Sequence, residues 1–392
     1  MIERKGVSVG ALIAAVAITL VFGFVAGTRK DEIFEAVGPM LGQKVAIAPN
    51  WSELNEVYKA LKNHYDGSVS DSQIIEGAKK GLVAAAGDDY TIYMDRVEAE
   101  EFSKSLSGDV GAGIGVEIGQ RNGVPTILRV LKDNPAKAAG VLAGDIVVMV
   151  NDEDMSGKTT DEVASRIRGE DGTSVKVKFY RSGEELELNI VRAKINNPSV
   201  ELSYKNNVAI ITISRFDQET GSLVKNAAKE INDKGIDKII LDLRGNGGGY
   251  VSAAQDVLSL WLQDKLLLTE KANGRVIDTI RSGGNAPLAG KKTIVLADGS
   301  SASASEIVVG ALKDYKAATF VGEKTFGKGS VQDQISLSGG GLLKVTIGRW
   351  YTPNDTNINK SGIKPDIEVK MTADDINGNN DTQLKRALEI LK

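Results

Sequence analysis

The stretch Lys238-Ile-Ile-Leu-Asp-Leu-Arg-Gly-Asn-Gly-Gly-Gly249 joins an apolar run to a loop that carries glycine at four of its last five positions. A run this continuously apolar suits a strand buried on both faces. Ahead of it lie a second such run, Val208 to Ile213, and the amphipathic stretch Gly221 to Asn232. The helical pattern Ala253 to Leu262 follows it, then a third strand, Thr293 to Ala297, a helix over Ser305 to Leu312 and a short strand over Ala318 to Val321. Strands alternating with helices predict an α/β core spanning 194–392.

In such sheets, sites gather at the carboxyl ends of strands, where loops present backbone amides beside helix amino termini. Two loops occupy that position, Asp242 to Gly249 and Asp298-Gly-Ser-Ser-Ala-Ser-Ala-Ser-Glu306. The consecutive glycines of the first allow close backbone approach to an oxyanion or a phosphate. The Gly-Lys-Ser/Thr ending of a phosphate loop is missing, so an oxyanion loop is the better reading, with a plain structural turn as its rival. In the second loop small residues surround serines at 300, 301, 303 and 305, and a hydroxyl there sits near helix-end amides.

Serine needs a base. The chain has no cysteine and one histidine, His64, which excludes thiol nucleophiles and leaves a histidine triad dependent on a residue in a helical stretch more suited to a structural role. Lysine is the natural substitute where burial disfavours its charged form. Thr325-Phe-Gly-Lys328-Gly-Ser-Val-Gln332 supplies one between glycines, with Gln332 able to bond the amine.

Upstream, 108–193 consists of short β-branched runs, Thr126 to Val130, Ile146 to Val150, Val175 to Tyr180 and Leu186 to Val191, with helical stretches at Pro135 to Gly140 and Thr160 to Ile167. This segment resembles a PDZ domain, on Gly113-Ile114-Gly115-Val116 at the family's carboxylate-binding loop, Asn134-Pro135-Ala136 and Gly144-Asp145-Ile146-Val147. The resemblance implies strand addition of an extended peptide near Ile114 to Ile118, facing the helix near Thr160 to Arg168. In the amino-terminal helical region 29–107, Trp51 to about Phe102 reads as helical, with Ser70 and Gln73 spaced as a capping box. Val7 to Gly27 is an uncharged apolar run close to the ~20 residues of a membrane-spanning helix, so 1–28 is expected to be an uncleaved anchor or signal, with the remainder outside the cytoplasm. A net charge of −4 points away from nucleic acid.

Together, Leu243-Arg244 to Gly249, Ser301-Ala302-Ser303-Ala304-Ser305-Glu306 and Gly322 to Gln332 resemble the carboxyl-terminal processing peptidases, or tail-specific proteases, as do Tyr351-Thr352-Pro353 and Gly362 to Asp366. The resemblance implies a crotonase-like α/β serine-protease core with an inserted PDZ domain. It places the nucleophile on Ser303, the general base on Lys328 25 residues later, and the lysine-orienting residue on Gln332. The oxyanion amides fall on Gly248 or Gly249 with that of Ser303 or its neighbour. It implies protein or peptide substrates with accessible carboxyl termini, no metal or cofactor, and is compatible with a homo-oligomer. The family's Asn-Asn-Pro-Gly-Gly is replaced here by Gly245-Asn246-Gly247-Gly248-Gly249. The competing readings are a catalytically silent PDZ scaffold at the membrane and an acyl-transfer or hydration enzyme with a related glycine loop.

Overall fold

A computed structural model describes residues 50–121, 123–372, 374, 375, 378 and 380–392. The apolar run Val7 to Gly27 lies outside them, and among the described residues no helix is long and apolar enough to cross a membrane. The chain divides into two compact units, up to Gly77 and from Ala78 onward. The first holds the helix Ser52–His64 and the start of the helix Asp71–Ala84. The Ser70 and Gln73 spacing does form a reciprocal cap: Gln73 N–H donates to Ser70 Oγ at 3.2 Å and Ser70 N–H to Gln73 Oε1 at 2.9 Å. His64 is exposed at the end of its helix.

The second unit is built on a six-stranded sheet whose strands follow one another in chain order: Val200–Lys205, Val208–Ile213, Lys238–Asp242, Lys292–Ala297, Thr319–Gly322 and Ile367–Glu368. All but the first pair are parallel. Advancing always in one direction, right-handed crossovers put their helices on one face. Helices Thr220–Asp233, Val251–Leu258 and Ala304–Asp314 accordingly cover Ala209, Ile211, Ile239, Leu241, Val295 and Phe320. The alternate residues Ile210, Ile240, Ile294 and Leu296 meet Ala387 and Leu388 of the carboxyl-terminal helix Thr382–Ile390. Burial on both faces is the reason these strands are apolar throughout.

The PDZ-like module has its own core, in which Ile114, Ile127, Val147, Val163, Val177 and Phe179 are buried together. Its strands run Val116–Arg121, Val124–Val130, Ile146–Val150, Ser174–Arg181 and Glu184–Val191, with the helix Thr160–Ile167 as the spacing predicts. Asp145, 1% exposed, receives two hydrogen bonds of 2.6 Å from the Arg181 guanidinium, which holds the turn before Ile146 against the last hairpin.

A further sheet differs from the sequence reading. The segment before Phe102 is not helical throughout: Ile92–Met94 forms a strand, and only Arg96–Ser107 continues as helix, capped by Asp95. That strand adds to Leu342–Tyr351, which also pairs with Ser330–Ser336 and Leu266–Ala272, the latter pairing with Arg275–Arg281. Long-range pairing decides this conformation, which local helical periodicity does not register.

Candidate active site

Ser303 precedes the helix Ala304–Asp314 with φ 55° and ψ −116°, a region that a side-chain-bearing residue rarely occupies. Its surroundings hold it there. Ser301 Oγ donates to Leu243 O and Ser305 Oγ to Asn246 O, both at 2.8 Å, so the hydroxyls on either side tie the serine loop to the glycine loop. Ser300 is exposed on the preceding turn. Of the four serines, only Ser303 lines a cavity of about 390 Å³ between the two sheets.

The glycine loop lies against this serine. A Cβ on Gly248 would stand 2.8 Å from Ser303 Cβ, and one on Gly249 would meet Phe216 O at 2.1 Å. With φ of 104° and 142°, both positions require glycine sterically as well as conformationally. Gly248 N–H donates to Asn246 Oδ1 at 2.8 Å, and Ser303 N–H to Glu306 Oε2 at 3.0 Å. Two of the candidate oxyanion amides are therefore occupied in this structure. Arg244 fixes the start of the loop through paired hydrogen bonds to Asp242 and Asp381.

Lys328 comes from the other side of the cavity, just before the strand Ser330–Ser336, and lines it together with Ser303, Gln332, Gly248 and Gly249. No hydrogen bond joins the two side chains; in an unliganded site such contacts are often long and tighten on binding. Burial pushes the Lys328 amine below its usual range and Lys344 pushes it further, against the opposing charge of Glu306. The Nζ atom sits 5.2 Å from the centre of the Tyr90 ring. The Gln332 amide donates to Ser330 Oγ at 2.7 Å and to Thr346 Oγ1 at 3.5 Å, so its hydrogen bonds go to strand neighbours and none reaches Lys328.

Glu306 was missed as a site residue. Fully buried, it accepts from Ser303 N–H at 3.0 Å and Lys328 N–H at 2.9 Å through Oε2, and from Gly327 N–H at 2.8 Å and the Thr325 hydroxyl at 2.5 Å through Oε1. Burial pushes its carboxyl above the usual range while these four hydrogen bonds hold it down. One side chain thus ties the backbone of the serine to the backbone of the lysine. The signal was in the sequence, since Ser303 and Glu306 have capping-box spacing. Tyr90, Phe102 and Lys344 escape sequence reasoning for a different reason: Tyr90 and Phe102 flank the strand Ile92–Met94, which pairs with Leu342–Tyr351, and Lys344 arrives because that strand pairs with Ser330–Ser336.

Gly113, Ile114, Gly115 and Val116 line a separate cavity of about 640 Å³. Ala164 and Arg168 flank it on the PDZ-like side, and Ser214, Arg215 and Arg244 of the α/β core close its far wall.

Comparison with known proteins finds matches in three regions of the chain. Residues 207–369 match peptidase family S41, 112–191 a PDZ domain, and 28–98 the N-terminal domain of the activating protease CtpB. The chain is 34% identical over 319 residues to a probable CtpA-like serine protease of Staphylococcus haemolyticus, covering 81% of this chain and 64% of that protein. A protein of the same name from Staphylococcus aureus is 34% identical over 322 residues, covering 82% and 65%. The chain thus spans somewhat under two thirds of the length of these curated relatives. Among solved structures, a photosystem II D1 C-terminal processing protease superposes with a TM-score of 0.53 at 25% identity, covering 88% of this chain and 91% of that one. A putative S41 protease from Bacteroides fragilis shares the fold, with a TM-score of 0.61 at 17% identity over 88% and 97% of the two chains. Residues 207–369 are thus a peptidase family S41 domain, preceded in the chain by a PDZ domain at 112–191.

Proposed function

We propose that this protein is a serine endopeptidase in which Ser303 is the nucleophile and Lys328 the general base. Neutral Lys328 takes the Ser303 proton as the hydroxyl attacks a peptide carbonyl, then returns it to the leaving amine, and water completes hydrolysis. The developing oxyanion is met by glycine-loop and helix-start amides, Gly249 among them, since Gly248 N–H is held by Asn246. Gln332 orients Lys328 once the site closes on substrate. The PDZ domain selects polypeptides through their carboxyl-terminal tails, which add along the strand edge following Gly113 to Val116. The amino-terminal apolar run anchors the enzyme in a membrane with its catalytic region extracytoplasmic, and assembly as a homo-oligomer is compatible with this arrangement.

The observation that supports this reading is the shared cavity of Ser303 and Lys328, with Glu306 accepting from the backbone of both. The test is cleavage of an unstructured polypeptide with an apolar free carboxyl terminus by the full chain, compared with Ser303→Ala and Lys328→Ala. Loss of cleavage in both is expected. Persistence in either overturns the pair, and absence of cleavage by the unaltered chain, with tail binding retained, favours the scaffold.

A further inference from the structure

Glu270 lies in the wall of the cavity that holds Ser303, and among the described residues no hydrogen bond or ion pair reaches its carboxyl. On the strand Leu266–Ala272, Leu268 and Glu270 line the cavity while Thr269 and Lys271 do not, so alternate side chains face it. Trp350, opposite Glu270 on the neighbouring strand, lines it too. Glu270 is 9% exposed and is the one acidic residue among those lining the cavity. Burial, and then the like charge of Asp278, push its carboxyl above the usual range. The cations around it have other surroundings: Arg215 faces Asp217, Lys328 stands over Tyr90, and Lys344 over Phe102.

A largely buried carboxyl without a hydrogen-bond partner is unfavourable, and it is relieved when a ligand supplies the donor. Phe216, Val251, Leu268, Ile307, Val331 and Trp350 give the cavity apolar wall, beside the polar Arg215, Lys328, Gln332, Gln334 and Lys344. Apolar wall beside a single carboxylate complements a side chain that has an apolar stem and a cationic tip. We propose that Glu270 makes a subsite for a lysine or arginine side chain of the substrate close to the scissile bond. This rests on the serine-protease reading of Ser303.

The test is a set of peptides, identical except for lysine, arginine, leucine or glutamate at each position flanking one cleavage site, assayed with the full chain. Lysine and arginine are expected to be preferred over leucine at one position. In Glu270→Gln the lysine-to-leucine ratio of kcat/KM should fall about tenfold, the scale of losing one charge-assisted hydrogen bond. In Glu270→Lys the preference at that position should pass to glutamate. An unchanged ratio overturns the subsite, and so does an equal loss on every peptide. If the unaltered chain cuts none of them, the reading of function fails, and binding of the same peptides to full-length Ser303→Ala decides the subsite. Equal affinity for lysine and leucine peptides there overturns it.

Discussion

Replacing Glu306 by glutamine preserves its volume and removes one of its two acceptor atoms. Each oxygen serves two donors: Oε1 takes Thr325 Oγ1 and Gly327 N–H, Oε2 takes Ser303 N–H and Lys328 N–H. If the amide nitrogen replaces Oε2, two backbone N–H groups lose their acceptor; if it replaces Oε1, Gly327 N–H loses its acceptor while the Thr325 hydroxyl can turn to accept from the amide. At about 1–3 kcal/mol for each orphaned group, the cost is roughly 1–6 kcal/mol. For a unit of this size, roughly 2–4 °C of melting temperature per kcal/mol places the fall at about 2–20 °C. The rate carries a second signature. The Glu306 charge raises the pKa of Lys328, so its removal should carry the acid limb of the kcat/KM profile to lower pH while the plateau drops. Calorimetry and a pH series on the full chain measure both. A melting temperature within about 2 °C of the parent, with an unmoved acid limb, would refute the view that Glu306 couples the serine loop to the lysine loop.

Lys344→Met removes a positive charge that depresses the Lys328 amine, so the acid limb should move to higher pH, the direction opposite to that in Glu306→Gln; kinetics across pH distinguish them. Lys328→Met should abolish cleavage yet stabilise the fold at neutral pH. The folded-state pKa of Lys328 is depressed below about 10.4, so the unfolded chain binds more protons between the two values and parental stability rises with pH through that window. The stability difference between the two proteins, read by urea titration, should therefore shrink as pH approaches about 10. Ser303→Gly relieves a positive-φ conformation that costs on the order of 1–3 kcal/mol, and should melt above Ser303→Ala while both are inactive. Gly249→Ala puts a methyl group 2.1 Å from Phe216 O and should lose activity, with destabilisation of about 2 kcal/mol or more in urea; native-like stability would show that the loop can shift.

The parallel strands were readable because burial on both faces makes a strand apolar along its length, as Val208–Ile213 and Lys292–Ala297 are. The antiparallel sheet was not. Arg275–Arg281 is almost wholly exposed, and Ser330–Ser336 alternates only weakly, so neither carries a periodicity that separates strand from loop. The four serines illustrate the same boundary at the scale of a site. Sequence logic brought a hydroxyl to this loop, and resemblance to a family chose among the four. What distinguishes them physically is tertiary: the carbonyls of Leu243 and Asn246, nearly sixty residues away, accept from Ser301 and Ser305. Neither contact leaves a mark on local sequence.

The same distinction accounts for the lysine. A loop lysine between glycines is ordinarily a solvated cation, and nothing local to Thr325–Gln332 makes it otherwise. Its half-buried state comes from elements distant in the chain: Tyr90 ahead of the strand Ile92–Met94, Lys344 on the strand Leu342–Tyr351, and Glu306 on the helix of the parallel sheet. Ser303 is therefore presented by one sheet and Lys328 by the other, and the amine is depressed only while the two sheets stay together. Glu306 belongs covalently to the first sheet and accepts hydrogen bonds from the loop leading into the second. A change that separates the sheets would expose Lys328 to water, restore its charge and withdraw its acceptor at once, which couples the chemistry to the integrity of the fold at this one carboxyl group.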